Sequence, residues 1–393
     1  MTDIARSRAW RELDLDALAH NARILSAALA PGCSLMAVVK ADAYGHGAVP
    51  AARHLQRCGV RAFAVACLAE GIALRRAGIG RQILILGYTA PEQAPLLRHW
   101  DLTQTVADEA HGAALAARGI PLSVHLALDT GMHRLGIPAG DLSAIARMYA
   151  LKPLQIRGVF SHLCVSDSLA EEDRDYTRRQ LQLFYETLSR MRARGLDPGE
   201  THIQASYGIW NLPLQPCTWA RAGIALYGVA SDEGPTLRAL DLRPVLSLRA
   251  RVASVRTLQR GEGAGYGLAF RAGDSPRRIA AAAIGYADGL PRSLPQQGGE
   301  VLLRGTRCPM AGRLCMDQLL LDVTAVPEAA AGDIITLIGR DGGTELRAET
   351  VAARCSTITN ELLSRLGARL PVVVRGGSTP CTRKERQAEA SSG

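Results

Sequence analysis

The chain takes its positive charge almost entirely from arginine. Of 46 basic residues only three are lysines, Lys40, Lys152 and Lys384. Lys152 sits beside a proline and Lys384 lies in a polar stretch near the C-terminus. Lys40 instead closes an apolar run, residues 36–40, inside "MAVVKADAYGHG". A guanidinium would supply charge alone, whereas a lysine amine can lose its proton and form a Schiff base. Four more polar groups sit at or near the ends of other apolar runs. They are Arg134 in "DTGMHRLG", His162 in "FSHL", Ser206 in "QASYG" and Arg221 in "WARAGIALYG".

The runs that carry these groups read as strands. Over residues 1–240, "SLMAVVK", "AFAVA", "ILILG", "TQTVA", "SVHLALD", "IRGVFSHL", "HIQAS" and "WARAGIALYG" alternate with helical segments. Those segments include "GAVPAARHLQRCG", "LAEGIALRRAG" and "DYTRRQLQLFYETLSRMRARG". Eight such alternations predict an α/β fold, a (β/α)8 TIM barrel, rather than an open sheet. Active sites of such barrels lie at the C-terminal ends of the strands, so Lys40, Arg134, His162, Ser206 and Arg221 should converge on one mouth.

Residues 241–376 have another texture. "LSLRARVASVRTLQ", "RIAAAAIGYADG", "GEVLLRGTRCPMAGRLCMDQLLLDV" and "DIITLIG" follow one another with short turns, which predicts a mostly antiparallel β domain. One helical segment, "AETVAARCSTITNELLSRLG", interrupts it. Residues 377–393 have few apolar side chains and are expected to be disordered.

Composition narrows the function. At 47% hydrophobic and 21% charged, the chain can bury a large core. The net charge of +9 comes from scattered arginines with no long basic run, which argues against a nucleic-acid binder. No apolar run reaches the ~18 residues of a membrane span, and the N-terminus lacks a secretory core. Nine cysteines without paired spacing suggest reduced thiols and a cytoplasmic location. Cys308 and Cys315 lack the companions of a zinc site, so no metal is expected.

Together "AVVKADAYGHG", "DTGMHRLG", "RAGIALYG", "GYGLAF", "GYADG" and "GRLCMDQ" resemble the alanine racemases, in that family's order, over about residues 10–375. The resemblance implies pyridoxal 5'-phosphate as cofactor. It also implies a homodimer in which the C-terminal β domain of one subunit completes the active site of the other. Lys40 then matches the lysine that binds the cofactor covalently and acts as one acid/base group. Tyr266 matches the opposing base, supplied by the partner subunit. Both have high reference pKa values and must be shifted or coupled to act near neutral pH. Arg221 matches the arginine facing the pyridine nitrogen, and His162 the histidine linking that arginine to the tyrosine. Arg134 and the backbone of Met316 match contacts to the substrate carboxylate. Tyr44, Ser206, Gly223 and Ile224 match phosphate contacts, while Tyr286, Arg292 and Arg313 fall at the substrate entrance.

Three departures bear on substrate choice. Many family members carry a carbamylated lysine where this chain has Ala127, so Arg134 must be positioned by something else. Ala205 replaces a usual asparagine. Asn360, in "TITNE", stands where a tyrosine is common near the substrate side chain, and offers room with both a donor and an acceptor for a serine hydroxyl. These departures resemble the racemase domain of vancomycin-resistance serine/alanine racemases, which carry a membrane domain ahead of it; none is seen in this sequence. The expected function is alanine racemisation for cell-wall D-alanine, with serine racemase or a dual serine/alanine racemase as the alternative. A decarboxylase of the same architecture is less favoured, because Arg221 stands where those enzymes tend to place an acid. A non-catalytic cofactor carrier is disfavoured by the second domain.

Overall fold

The computed structural model describes residues 4–377. Eight parallel strands form the first layer: β1 (Ser34–Val38), β2 (Ala62–Val65), β3 (Gln82–Ile85), β4 (Thr103–Val106), β5 (Leu122–Asp129), β6 (Leu154–Phe160), β7 (Glu200–His202) and β8 (Trp219–Ala222). Their order is β8-β1-β2-β3-β4-β5-β6-β7. The two ends of this path meet through a single bridge, Ala205 to Arg221, and the Arg221 N–H donates to the Gln204 carbonyl at 3.1 Å. Strand β7 is shorter and earlier than the run "HIQAS" suggested. It stays paired to β6 only as far as His202.

Helices Ala48–Arg57, Leu68–Arg76 and Glu171–Ala193 form where apolar periodicity placed them. Aspartates start three others. Asp14, Asp108 and Asp141 accept from the first free N–H groups of Leu15–Ala27, Glu109–Ala116 and Leu142–Ala150. The strands' outward side chains pack with the helices in the main core, while Met36, Val38, Ala62, Ala64, Leu84 and Trp219 make a separate small cluster.

The second sheet has nine strands and is mostly antiparallel. The expected division at residue 240 is crossed at its N-terminal side. Strand Ala9–Asp14 pairs antiparallel with Leu246–Leu258 and parallel with Val372–Arg375, so residues 9–14 belong to the second sheet. The helical segment of that domain is two helices, Ala348–Arg354 and Thr359–Ser364, broken where Ser356 takes φ 53°.

Among the described residues seven cysteines are free thiols, but Cys58 is disulfide-bonded, so the expectation of reduced thiols does not hold there. Among the described residues there is no cluster able to hold a metal ion and no helix long and apolar enough to cross a membrane. Apart from Gly377, the expected disordered tail lies outside the described residues.

Candidate active site

Lys40 leaves β1 into an unusual turn. Ala41, Asp42, Ala43 and Tyr44 all lie near φ 51–56°, ψ 43–52°, a full turn of left-handed helix without a glycine. Such a conformation costs about 1–2 kcal/mol per L-residue, so its surroundings must enforce it. They do so with hydrogen bonds. Glu70 accepts from the Ala41 N–H at 2.7 Å. Asp42 accepts from Arg11 at 3.0 Å and from the Ala48 N–H at 2.7 Å. His46 Nδ1 lies 2.9 Å from both the Ala43 and Tyr44 carbonyls, which fixes the hydrogen on Nδ1 as their donor. Gly45 then passes so close to helix Thr359–Ser364 that a Cβ would stand 2.0 Å from the Leu363 carbonyl oxygen.

The turn leaves Lys40 on the wall of two adjoining cavities of about 250 and 280 Å³. His162, Arg221 and Leu86 line both. Lys40 has no hydrogen-bond or ion-pair partner among the described residues. Burial lowers its pKa, Arg134 and Arg221 lower it further, and Glu70 opposes them. Arg221 is 3% exposed, and burial brings its guanidinium down to about 10, still protonated at neutral pH. It donates to the Ser161 carbonyl at 2.7 Å and to His162 Nδ1 at 3.1 Å. Burial, then the charges of Arg221, Arg134 and Lys40, holds His162 down to about 3. With Nδ1 accepting, the neutral His162 ring carries its hydrogen on Nε2.

The first cavity is also lined by Ala127 and Arg134. Arg134 is exposed and has no hydrogen-bond partner among the described residues, so none of those replaces the missing lysine as its anchor. The second is lined by Tyr44, Ala205, Ser206, Gly223, Ile224 and Asn360. Ser206 Oγ accepts from the N–H groups of Gly223 at 3.0 Å and Ala225 at 3.2 Å, leaving its own hydrogen to donate. A Cβ at Gly223 would meet the Tyr44 hydroxyl at 2.5 Å. Burial pushes that hydroxyl up to about 12, so it remains a donor. Asn360 Oδ1 is buried without a partner.

Five expected site residues are not brought to this mouth within one chain. Tyr266, Met316, Tyr286, Arg292 and Arg313 line neither cavity. Tyr266 is 67% exposed and Met316 53%. The segments carrying Tyr266, Tyr286, Arg313 and Met316 are neighbours in the second domain: Gly267 lies against the Arg313 guanidinium, and the Tyr286 N–H donates to the Cys315 carbonyl at 3.0 Å. Four polar residues around the site were not picked out from sequence: Glu70, His125, Glu200 and His202. For the three on strands the available signal was polar residues within apolar strands, as in "SVHLALD" and "ETHIQ"; Glu70, on helix Leu68–Arg76, carried none.

The alanine racemase N-terminal domain family matches residues 13–231, and the C-terminal domain family matches residues 245–374. The chain belongs to the alanine racemase family. An alanine racemase from Desulfovibrio desulfuricans is 40% identical over 93% of this chain and 97% of that protein. An amino-acid racemase from Enterococcus faecalis is 42% identical over 94% of this chain and 52% of its own length. A serine/alanine racemase from Enterococcus gallinarum is 38% identical, again over 94% and 52%. The chain thus spans about half the length of these enterococcal relatives of the alanine racemase family. The solved alanine racemase of Bacillus anthracis with bound L-Ala-P superposes with a TM-score of 0.87 at 32% identity, over 94% of this chain and 96% of that one.

Proposed function

We propose that this protein is a pyridoxal-phosphate-dependent racemase of small amino acids, acting on alanine, with serine as a second substrate. One observation carries the reading: the one lysine of the barrel mouth, half-buried, shares its cavity walls with a protonated Arg221 and a neutral His162, and no carboxylate among the described residues contacts Arg221. The residues fit the cofactor. Lys40 would hold it covalently. The Ser206 and Tyr44 hydroxyls and the backbone at Ile224 would give a phosphate its donors, and Gly223, with no side chain, leaves it room. Bound there, pyridoxal phosphate supplies the electron sink that stabilises negative charge at the substrate α-carbon.

The chain's own groups do the rest. Burial and neighbouring positive charge favour the neutral Lys40 amine, the form able to take a proton from one face of the α-carbon. Tyr266 of a second copy serves the opposite face, and its exposure in the single chain is what a shared site requires. The Nε2–H of His162 is available to orient that tyrosine. Arg221, protonated and without an acceptor, would donate to the pyridine nitrogen without protonating it and so restrain the electron sink. Arg134 and the Met316 backbone receive the carboxylate. Tyr286, Arg292 and Arg313 border the entrance.

Serine is favoured as a second substrate by Asn360, whose buried unpartnered Oδ1 on the cavity wall can accept from a hydroxymethyl group. A cytoplasmic location and a role in D-alanine supply complete the reading. The test is kcat/KM for L-alanine and L-serine on the cofactor-loaded protein. Racemisation of neither would sink the proposal; comparable values would make serine a true substrate, and a large excess for alanine would remove Asn360 from the specificity argument.

A further inference from the structure

On the side of Arg221 away from His162, a file of inward side chains leads through two buried histidines to Glu200, whose side chain is 34% exposed. Arg221 Nη1 lies 2.5 Å from His202 Nδ1. His202 Nε2 lies 2.9 Å from His125 Nδ1. His125 Nε2 lies 3.5 Å from Glu200 Oε2 and the same distance from Gln82 Nε2, a donor that cannot satisfy a second donor. That oxygen also accepts from Gln82 Nε2 at 2.8 Å and Trp219 Nε1 at 2.9 Å. His125 and His202 are 0% exposed.

Donor and acceptor chemistry allows one arrangement of hydrogens along this file. A guanidinium has no acceptor, so His202 Nδ1 must be bare. The hydrogen of His202 is then on Nε2 and donates to His125 Nδ1, which must be bare in turn. The hydrogen of His125 is left on Nε2, pointing at the carboxylate. Both rings are therefore neutral, and the file ends in the negative charge of Glu200. The barrel is built around it. A Cβ on Gly158 would stand 2.8 Å from His125 Nε2, so that ring occupies space only a glycine leaves free. Phe160 stacks on His202 with centroids 4.7 Å apart and planes 4° apart.

Resting on the racemase reading above, we propose that Glu200 and His125 are positioning residues that act through His202 on Arg221, fixing its orientation and weakening it as an acid. A guanidinium connected to a carboxylate through two polarised rings holds its protons more firmly. It can then donate a hydrogen bond to a pyridine nitrogen without surrendering the proton. Without the charge of Glu200, Arg221 becomes the stronger donor. The electron sink deepens, and more turnovers end in the side reaction. In that reaction the proton taken from the α-carbon goes to the cofactor's aldehyde carbon instead of back to the α-carbon. Water then cleaves the C–N bond to alanine: the α-carbon leaves oxidised as pyruvate, and the cofactor keeps the amino group in its reduced, pyridoxamine form.

The first test needs no cofactor. In 15N-histidine NMR of the apo-protein, assigned with single His→Gln variants, His125 and His202 should both show a protonated Nε2 and a bare Nδ1 from pH 6 to 9. A cationic ring, or a hydrogen on Nδ1 of either, overturns the file. The second test uses Glu200→Gln, which keeps the shape and an acceptor oxygen. Pyruvate formed per alanine racemised should rise on the order of tenfold at unchanged KM, and Glu200→Asp should bring the ratio back toward wild type. An equal fall in both products, with the ratio constant, reduces Glu200 to a structural role and overturns the proposal. Wild-type protein that racemises nothing overturns the functional reading instead, and the NMR result still judges the file.

Discussion

At the scale of single residues, the candidate chemistry rests on a division of labour between groups that move protons and groups that hold charge still. On the proposed reading Lys40→Ala removes the covalent anchor and one base, so cofactor absorbance and racemisation should both vanish; turnover in that variant would overturn the assignment. Tyr266→Phe should keep the cofactor while racemisation falls by about 10²–10⁴-fold, the usual worth of a positioned acid or base. Normal rates in both directions would instead rule out a two-base reaction. Asn360→Tyr fills the cavity wall and removes the buried acceptor. The serine-to-alanine ratio of kcat/KM should drop on the order of tenfold, and an unchanged ratio would clear Asn360 of any part in specificity.

At the scale of elements, the left-handed turn after Lys40 and the file below Arg221 are the parts that sequence patterning did not foretell. The eight strands were legible because apolar runs bounded by turn residues can be read locally. The turn was not, because Ala41, Asp42, Ala43 and Tyr44 carry no signal for positive φ; it is enforced by Arg11, Glu70 and Leu363, residues distant in sequence. The pairing of Ala9–Asp14 with a strand more than 230 residues away was hidden for the same reason. Asp42→Ala should therefore destabilise the fold by about 1–2 kcal/mol in chemical denaturation, through loss of its bonds from Arg11 and the Ala48 N–H. Glu200 makes a prediction in pH. Hydrogen bonds from His125, Gln82 and Trp219 outweigh its burial and hold the carboxyl down to about 2, below its ordinary 4.5. A depressed carboxyl stabilises the fold above its unfolded pKa and loses that contribution as pH falls through its folded pKa. The Tm gap between wild type and Glu200→Gln should accordingly be widest above pH 4.5 and narrow as pH falls toward 2.

At the scale of the whole molecule, Lys40 and Tyr266 belong to different surfaces of one chain, and a shared site makes a countable prediction. Lys40→Ala and Tyr266→Phe proteins, each inactive alone, should regain about a quarter of wild-type activity when mixed and allowed to exchange subunits. Half the dimers are then mixed, and each mixed dimer holds one intact site of two. No recovery after proven exchange would mean that each chain works alone. The barrel itself has a seam. Seven of its eight strand contacts are ladders, whereas β7 and β8 meet at one bridge and one backbone hydrogen bond. Ser206 follows one lip of that seam and Gly223 the other, joined by the bond from the Gly223 N–H to Ser206 Oγ. An anion seated between them acts as a clasp on the weakest joint of the wall, so amide exchange in β7 and β8 should slow more than elsewhere when the site fills, and the protein's resistance to unfolding becomes a gauge of how much of it is loaded.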